Sequence, residues 1–169
     1  MAERSDDGAT AMNPTTAERT SDRELVVKRT VNGPARLVFE AWTKPELFQR
    51  WWVPKSYGLT LLSCEMDVRV GGQYRLVFRH GHSTMAFFGT YRDVTPPSRL
   101  VWTHDEGEAG VTVTTVTFDE KDGKTVLVVH DLYPSKDALE ASGATGAMPE
   151  QLDQLDAFLA SLAASAEHV

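Results

Sequence analysis

Residues 34–72, PARLVFEAWTKPELFQRWWVPKSYGLTLLSCEMDVRVGG, decide how this chain folds. Leu37, Val38, Ala41 and Trp42 recur at one-turn spacing, which places them on one face of a short helix. Pro34 suits the first helical position, where a missing N–H loses nothing. Pro45 stops that helix and opens a second over Glu46–Trp52, in which Leu47, Phe48 and Trp51 share a side. Trp52 falls off the stripe, beside Val53-Pro54. The adjacent Trp51 and Trp52 present large apolar surfaces in two directions. Burial of both in the core is the plain reading; one of them lining a ligand cavity, with Trp52 at its mouth, is the sharper one. After a turn at Ser56-Tyr57-Gly58, Leu59–Val68 alternates as a strand, with Leu62, Cys64, Met66 and Val68 pointing one way. Gly71-Gly72 ends it in a turn.

Outward from this stretch, Met1–Arg23 is polar and aperiodic and reads as a disordered tail, leaving a single domain over 24–165. Glu24–Val31 is the first strand. Beyond Gly72, five more strands follow at Gln73–Arg79, Thr84–Val94, Arg99–Asp105, Val111–Phe118 and Lys124–Leu132. Tyr74, Leu76 and Phe78 face inward on one; Met85, Phe87, Gly89 and Tyr91 share a face on the next. A glycine inside a strand marks a bulge, a bend or a close approach. Asp122-Gly123 is a hairpin signal, and His80–Ser83 reads as a second hairpin loop. Ser142–Ala147 reads as a break. From Pro149 the period turns helical, with Leu152, Leu155, Leu159 and Leu162 in a stripe widened by Met148 and Phe158. This helix should run to Ala164, roughly 25 Å. Consecutive hairpins imply an antiparallel meander, and a long meander curls as it twists. The expected fold is α+β: a curved antiparallel sheet of six to seven strands wrapped around a long C-terminal helix, with two short helices after the first strand.

The net charge of −7 argues against nucleic acid or an anionic membrane surface as the main partner. The single cysteine, Cys64, excludes an internal disulfide and reads as a small buried hydrophobe. No apolar run reaches membrane-spanning length, and the N-terminus carries no apolar signal core, so a cytoplasmic location is expected.

Several short motifs fall in one order and spacing: Trp42-Thr43-Lys44-Pro45-Glu46, Trp51-Trp52, Met66–Gly72, Gly89–Val94, Pro96–Trp102 and Val116-Thr117-Phe118. In this the chain resembles the AHSA-type family, related to the C-terminal part of the activator of heat shock protein 90 ATPase, within the START-like, helix-grip (SRPBCC) superfamily. The resemblance spans about Glu24–Leu162. It implies the helix-grip fold with a deep cavity between sheet and C-terminal helix, one that in this superfamily typically holds an apolar or polycyclic small molecule. The family name also implies a link to chaperones and stress response. The eukaryotic activator has a further N-terminal domain that this tail does not replace, which argues against a chaperone partner. Many members carry a Gly-Trp pair before the last helix; here the matching residues are Ala147-Met148.

The expected ligand-binding set is Trp52, Tyr74, Phe78, Phe87, Trp102, His104, His130 and Met148. The aromatic residues would enclose an apolar ligand. His104 and His130 sit on otherwise apolar strand faces, where an imidazole can bond a ligand carbonyl or act as general base toward an enolising substrate. Solvation at a strand end is the competing reading for each. Arg75 and Asp131 are read as a structural pair across the sheet. No nucleophile elbow, zinc signature or phosphate loop occurs, so no catalytic residue, metal or cofactor is assigned. His80 and His82 read as exposed turn residues. Binding of a hydrophobic small molecule is the leading expectation. A cyclase- or isomerase-type enzyme using a cavity histidine, and an interaction protein or homodimer, are the alternatives.

Overall fold

The computed structural model describes residues 15–105, 107–142 and 144–167. Eight strands form one antiparallel sheet: β1 (Thr16–Ser21), β2 (Glu24–Val31), β3 (Thr60–Met66), β4 (Gln73–His80), β5 (Ser83–Thr95), β6 (Arg99–Asp105), β7 (Val111–Lys121) and β8 (Lys124–Leu132). Their order is β1-β2-β8-β7-β6-β5-β4-β3. Helices α1 (Ala35–Thr43) and α2 (Pro45–Phe48) follow β2; α3 (Lys136–Ser142) and α4 (Ala144–Glu167) close the chain. The expected α+β fold is therefore present, with one strand more than the pattern gave.

That strand is β1. The expected disordered tail ran to Arg23, but Thr16–Ser21 pairs with β2 from Thr16↔Lys28 to Ser21↔Glu24. All six residues of β1 are exposed. It joins the sheet edge through its backbone ladder and a few exposed polar contacts such as Ser21 Oγ to Glu24, so no buried face marks it in the sequence. Residues 1–14 of the expected tail lie outside the described residues.

Other differences have local causes. The β3–β4 register shifts between Leu61 and Ser63, a bulge that turns Leu62 outward to 47% exposure while Leu61 packs on the core. One extra residue inverts the facing of everything before it. The helical run after Pro45 stops at Phe48 and continues as turns. Helix α4 begins at Ala144, so Pro149 is inside it rather than at its start. The predicted Asp122-Gly123 hairpin is present, with both residues at positive φ (54° and 79°) and Lys121 paired to Lys124.

Helix α1 starts without a side-chain cap of its own; the Ala35 N–H donates instead to the Glu120 carboxylate of β7, at 2.9 Å. Its buried face, Val38, Ala41 and Trp42, meets β7 and β8. The α4 stripe of Leu152, Leu155 and Leu159 is fully buried, each side chain stabilising the fold by roughly 2 kcal/mol. Among the strands, α4 packs chiefly on β2 and β1. It therefore covers one end of the sheet closely and leaves space over β4–β7.

Two sets of polar contacts fix α4 in that position. On β2, Arg29 is 5% exposed and points at the helix, where its guanidinium pairs with Asp153 and, at 3.1 Å, with Asp156. Asp156 also accepts from the Asn32 backbone N–H at 2.9 Å. On the other side, Gln154 Nε2 donates to the carbonyls of Trp51 and Val53, both at 2.8 Å, and Gln151 Nε2 donates to Trp52 O at 2.6 Å. Glu150 accepts from the Ser56 hydroxyl and from the Ser56 backbone N–H, the latter at 3.0 Å, and these bonds, the hydroxyl's first, hold its carboxyl below the usual range. Replacing Arg29 by Ala removes both ion pairs and opens a buried gap; because Asp153 is exposed and Asp156 keeps its Asn32 bond, the expected loss is about 2–3 kcal/mol by urea unfolding, below that of a fully buried pair. A change within a few tenths of a kcal/mol would show that the pair does not hold the helix.

Candidate functional site

The space left beside α4 is a cavity of about 680 Å³. The register of the sheet builds its floor. Tyr91, Trp102, Thr114, Asp131 and Leu25 are direct cross-strand neighbours along β5-β6-β7-β8-β2, so all five side chains rise from one face. The first four line the cavity. The next row pairs His104 with Thr112, and both also line it. Leu76, Phe78 and Phe87 form the wall on β4 and β5; Met148 and Gln151 form the roof on α4. Tyr57, Met85 and Phe87, 36–42% exposed, stand at the opening.

Two adjacent tryptophans divide the labour. Trp51 is fully buried, its indole N–H donating to Ala41 O at 3.0 Å. Trp52 is half-buried, stacks on Phe48 at 4.7 Å and lines the cavity. Trp42 joins the cavity wall to the core, touching Trp51, Trp52 and Trp102 with ring centroids 4.8–5.9 Å apart.

Gly89 is where the strand glycine has its reason. A Cβ there would lie 1.7 Å from Thr103 O and 3.0 Å from the Tyr74 ring. Tyr74, its cross-strand partner, lies across the gap and donates its hydroxyl to Thr103 O at 2.8 Å. The close approach anticipated at Gly89 is thus a tyrosine clamped over bare backbone. Burial pushes the hydroxyls of Tyr74 and Tyr91 well above the usual tyrosine range.

Of the expected site residues, Trp52, Tyr74, Phe78, Phe87, Trp102, His104 and Met148 line the cavity. His104 sits edge-on to Phe87, centroids 5.2 Å apart. His130 does not belong to the set. It lies on the opposite face of β8, where its Nε2 meets Glu24 Oε2 at 2.8 Å and holds the Glu24 carboxyl below its usual range. Its neighbour Asp131, expected to pair with Arg75, faces the cavity instead. Arg75 is exposed on the outer face. Both faces of β8 are apolar, so alternation could not say which residue points in. His80 is exposed, as expected, and it also lines the cavity.

Asp131 is the polar centre of this cavity. It is 6% exposed, and its Oδ1 accepts from the Thr114 hydroxyl at 2.6 Å. Its other oxygen has no hydrogen-bond partner among the described residues. Burial raises its pKa to about 6, against a smaller lowering from the Thr114 bond. No group of three or more metal-ligating side chains occurs among the described residues. No helix among them is long and apolar enough to cross a membrane.

An antiparallel sheet closed over by a long C-terminal helix, with an aromatic cavity between them, defines the helix-grip class of domain. Within it, the chain belongs to the AHSA1 family, described as "Activator of Hsp90 ATPase homolog 1-like protein", whose family model matches residues 32–160. Solved structures share the fold. A protein from Rhodobacter sphaeroides is 24% identical over 87% of this chain and 99% of its own, with a TM-score of 0.79. One from Nitrosomonas europaea is 22% identical over 86% and 99%, TM-score 0.77. An AHSA1-like protein from Aeromonas hydrophila is 21% identical over 83% and 94%, TM-score 0.67. Among curated proteins none matches.

Two outcomes follow from this geometry. Gly89→Ala forces Thr103 and Tyr74 apart and should destabilise the fold by about 3 kcal/mol in chemical denaturation; a neutral result would mean the strand relaxes freely there. Asp131 gains a proton more readily folded than unfolded, because its folded pKa of about 6 lies above the ordinary 3.8. Stability from this group is complete below the lower value and is lost as pH rises through the higher one. Asp131→Asn should therefore stabilise the protein by up to about 3 kcal/mol at neutral pH, with the gain vanishing in acid. Equal gains at both pH values would exclude this origin.

Proposed function

We propose that the protein binds a small hydrophobic or polycyclic molecule in the cavity between the sheet and α4. The observation that carries this reading is the cavity itself: about 680 Å³, walled by indole, phenyl and thioether groups, with few polar atoms placed among them. That size and that balance are those of ligand sites in general. The cavity is also open, its rim marked by exposed apolar side chains.

The alternative of proton transfer on an enolisable substrate has support from His104 and Asp131, which share the cavity wall, and from burial that pushes the Asp131 carboxyl up to about 6. Its check is deuterium uptake from solvent into a bicyclic ketone such as tetralone; exchange no faster than in buffer would remove it.

Native mass spectrometry of the purified protein, followed by tryptophan quenching with a panel of aromatic and lipid compounds, tests the binding reading. One-to-one binding at micromolar concentration is expected, and Ala147→Trp, which fills the roof, should weaken it at least about 10-fold, or 1.4 kcal/mol. No adduct and no quenching by any compound would overturn the reading.

A further inference from the structure

Resting on that reading, we infer that the cavity selects lipophilic amines, with the ligand's ammonium group seated on the Asp131 carboxylate and its apolar body among the aromatic rings. Asp131 is the only carboxylate lining the cavity among the described residues, and no lysine or arginine lines it. One of its oxygens accepts from the Thr114 hydroxyl, and the other has no hydrogen-bond partner among the described residues, on a residue that lines the cavity. A carboxylate held in apolar surroundings with most of its acceptor capacity unused is unfavourable until a charged donor reaches it. An ammonium supplies both the opposite charge and the missing donor.

The surroundings favour the same charge. Trp102 is the direct cross-strand neighbour of Thr114, which is in turn the neighbour of Asp131, so an indole stands in the same row as the acid. Electron-rich ring faces attract cations. The Thr112 hydroxyl lines the same region. The chain's net charge of −7 draws cations toward the opening and repels fatty-acid or phosphate anions. No lysine or arginine lines the wall among the described residues, so apart from the imidazoles of His104 and His80 an anionic ligand head would meet only Asp131. The raised pKa of Asp131 fits an acid awaiting its counter-charge, and amine binding should lower it again.

Four probes of one shape separate the possibilities: naphthylethylamine, naphthylethanol, ethylnaphthalene and naphthylacetate. Affinities are read by tryptophan quenching and calorimetry at neutral pH and physiological ionic strength, where distant surface charges are screened. In the wild type the amine should bind at least about 10-fold tighter than the alcohol or the hydrocarbon, and the carboxylate weakest. In Asp131→Asn the amine-to-hydrocarbon ratio should fall to about one, with Asp131→Ser as second variant should the first not fold. Equal binding of amine and alcohol, or a ratio unchanged by both variants, overturns the amine inference while leaving the cavity reading standing. Binding of none of the four overturns both. The wild-type comparison needs no variant, so a folding defect cannot mask the result.

Discussion

The cavity exists because α4 is held at a fixed distance from the sheet. An apolar helix on a concave sheet would gain most by settling to the bottom and excluding all space. Here the leucine stripe settles fully only at the β2 end, where Arg29 locks onto Asp153 and Asp156. At the other side Gln151, Gln154 and Glu150 grip the backbone of residues 51–56. The helix is thus tied to the β2 edge and to the tryptophan loop, and bridges the gap between them. Polar contacts have directions and lengths, so they set a spacing that hydrophobic contact alone would collapse.

That spacing makes the loop after α2 part of the site. Trp51 anchors it in the core through Ala41 O, and Trp52 hangs into the cavity from the same anchor. Core and cavity wall are continuous through Trp42, and the Gln151–Trp52 bond ties that wall to α4. Opposite, Tyr74 over Gly89 gives a rigid aromatic wall on a strand that would otherwise be weakened by glycine.

Much of the fold could be read from residues alone because its signals are local. Alternation marks β4, where Tyr74, Leu76 and Phe78 are buried as their period demands. Asp122-Gly123 makes its turn by backbone preference. The leucine stripe of α4 names its own buried face. The failures are equally physical. β1 buries nothing, so it leaves no hydrophobic trace. Leu62 is displaced by a bulge that no composition rule reports. The polar residues that hold α4, Arg29, Gln151 and Gln154, look like ordinary surface residues until their partners about a hundred positions away are placed beside them.

The sequence by itself determined an α+β chain, most of its strands and helices, and the aromatic character of whatever lies between sheet and last helix. These depend on period and residue type, which act over a few neighbours. Which of two adjacent residues on β8 faces the interior was decided only by tertiary structure. His130 and Asp131 stand on a strand that is apolar on both sides, and the register that aligns Asp131 with Thr114 and Trp102 turns the acid inward and the imidazole out. A strand's period fixes that neighbours point to opposite faces; only packing fixes which face meets the helix.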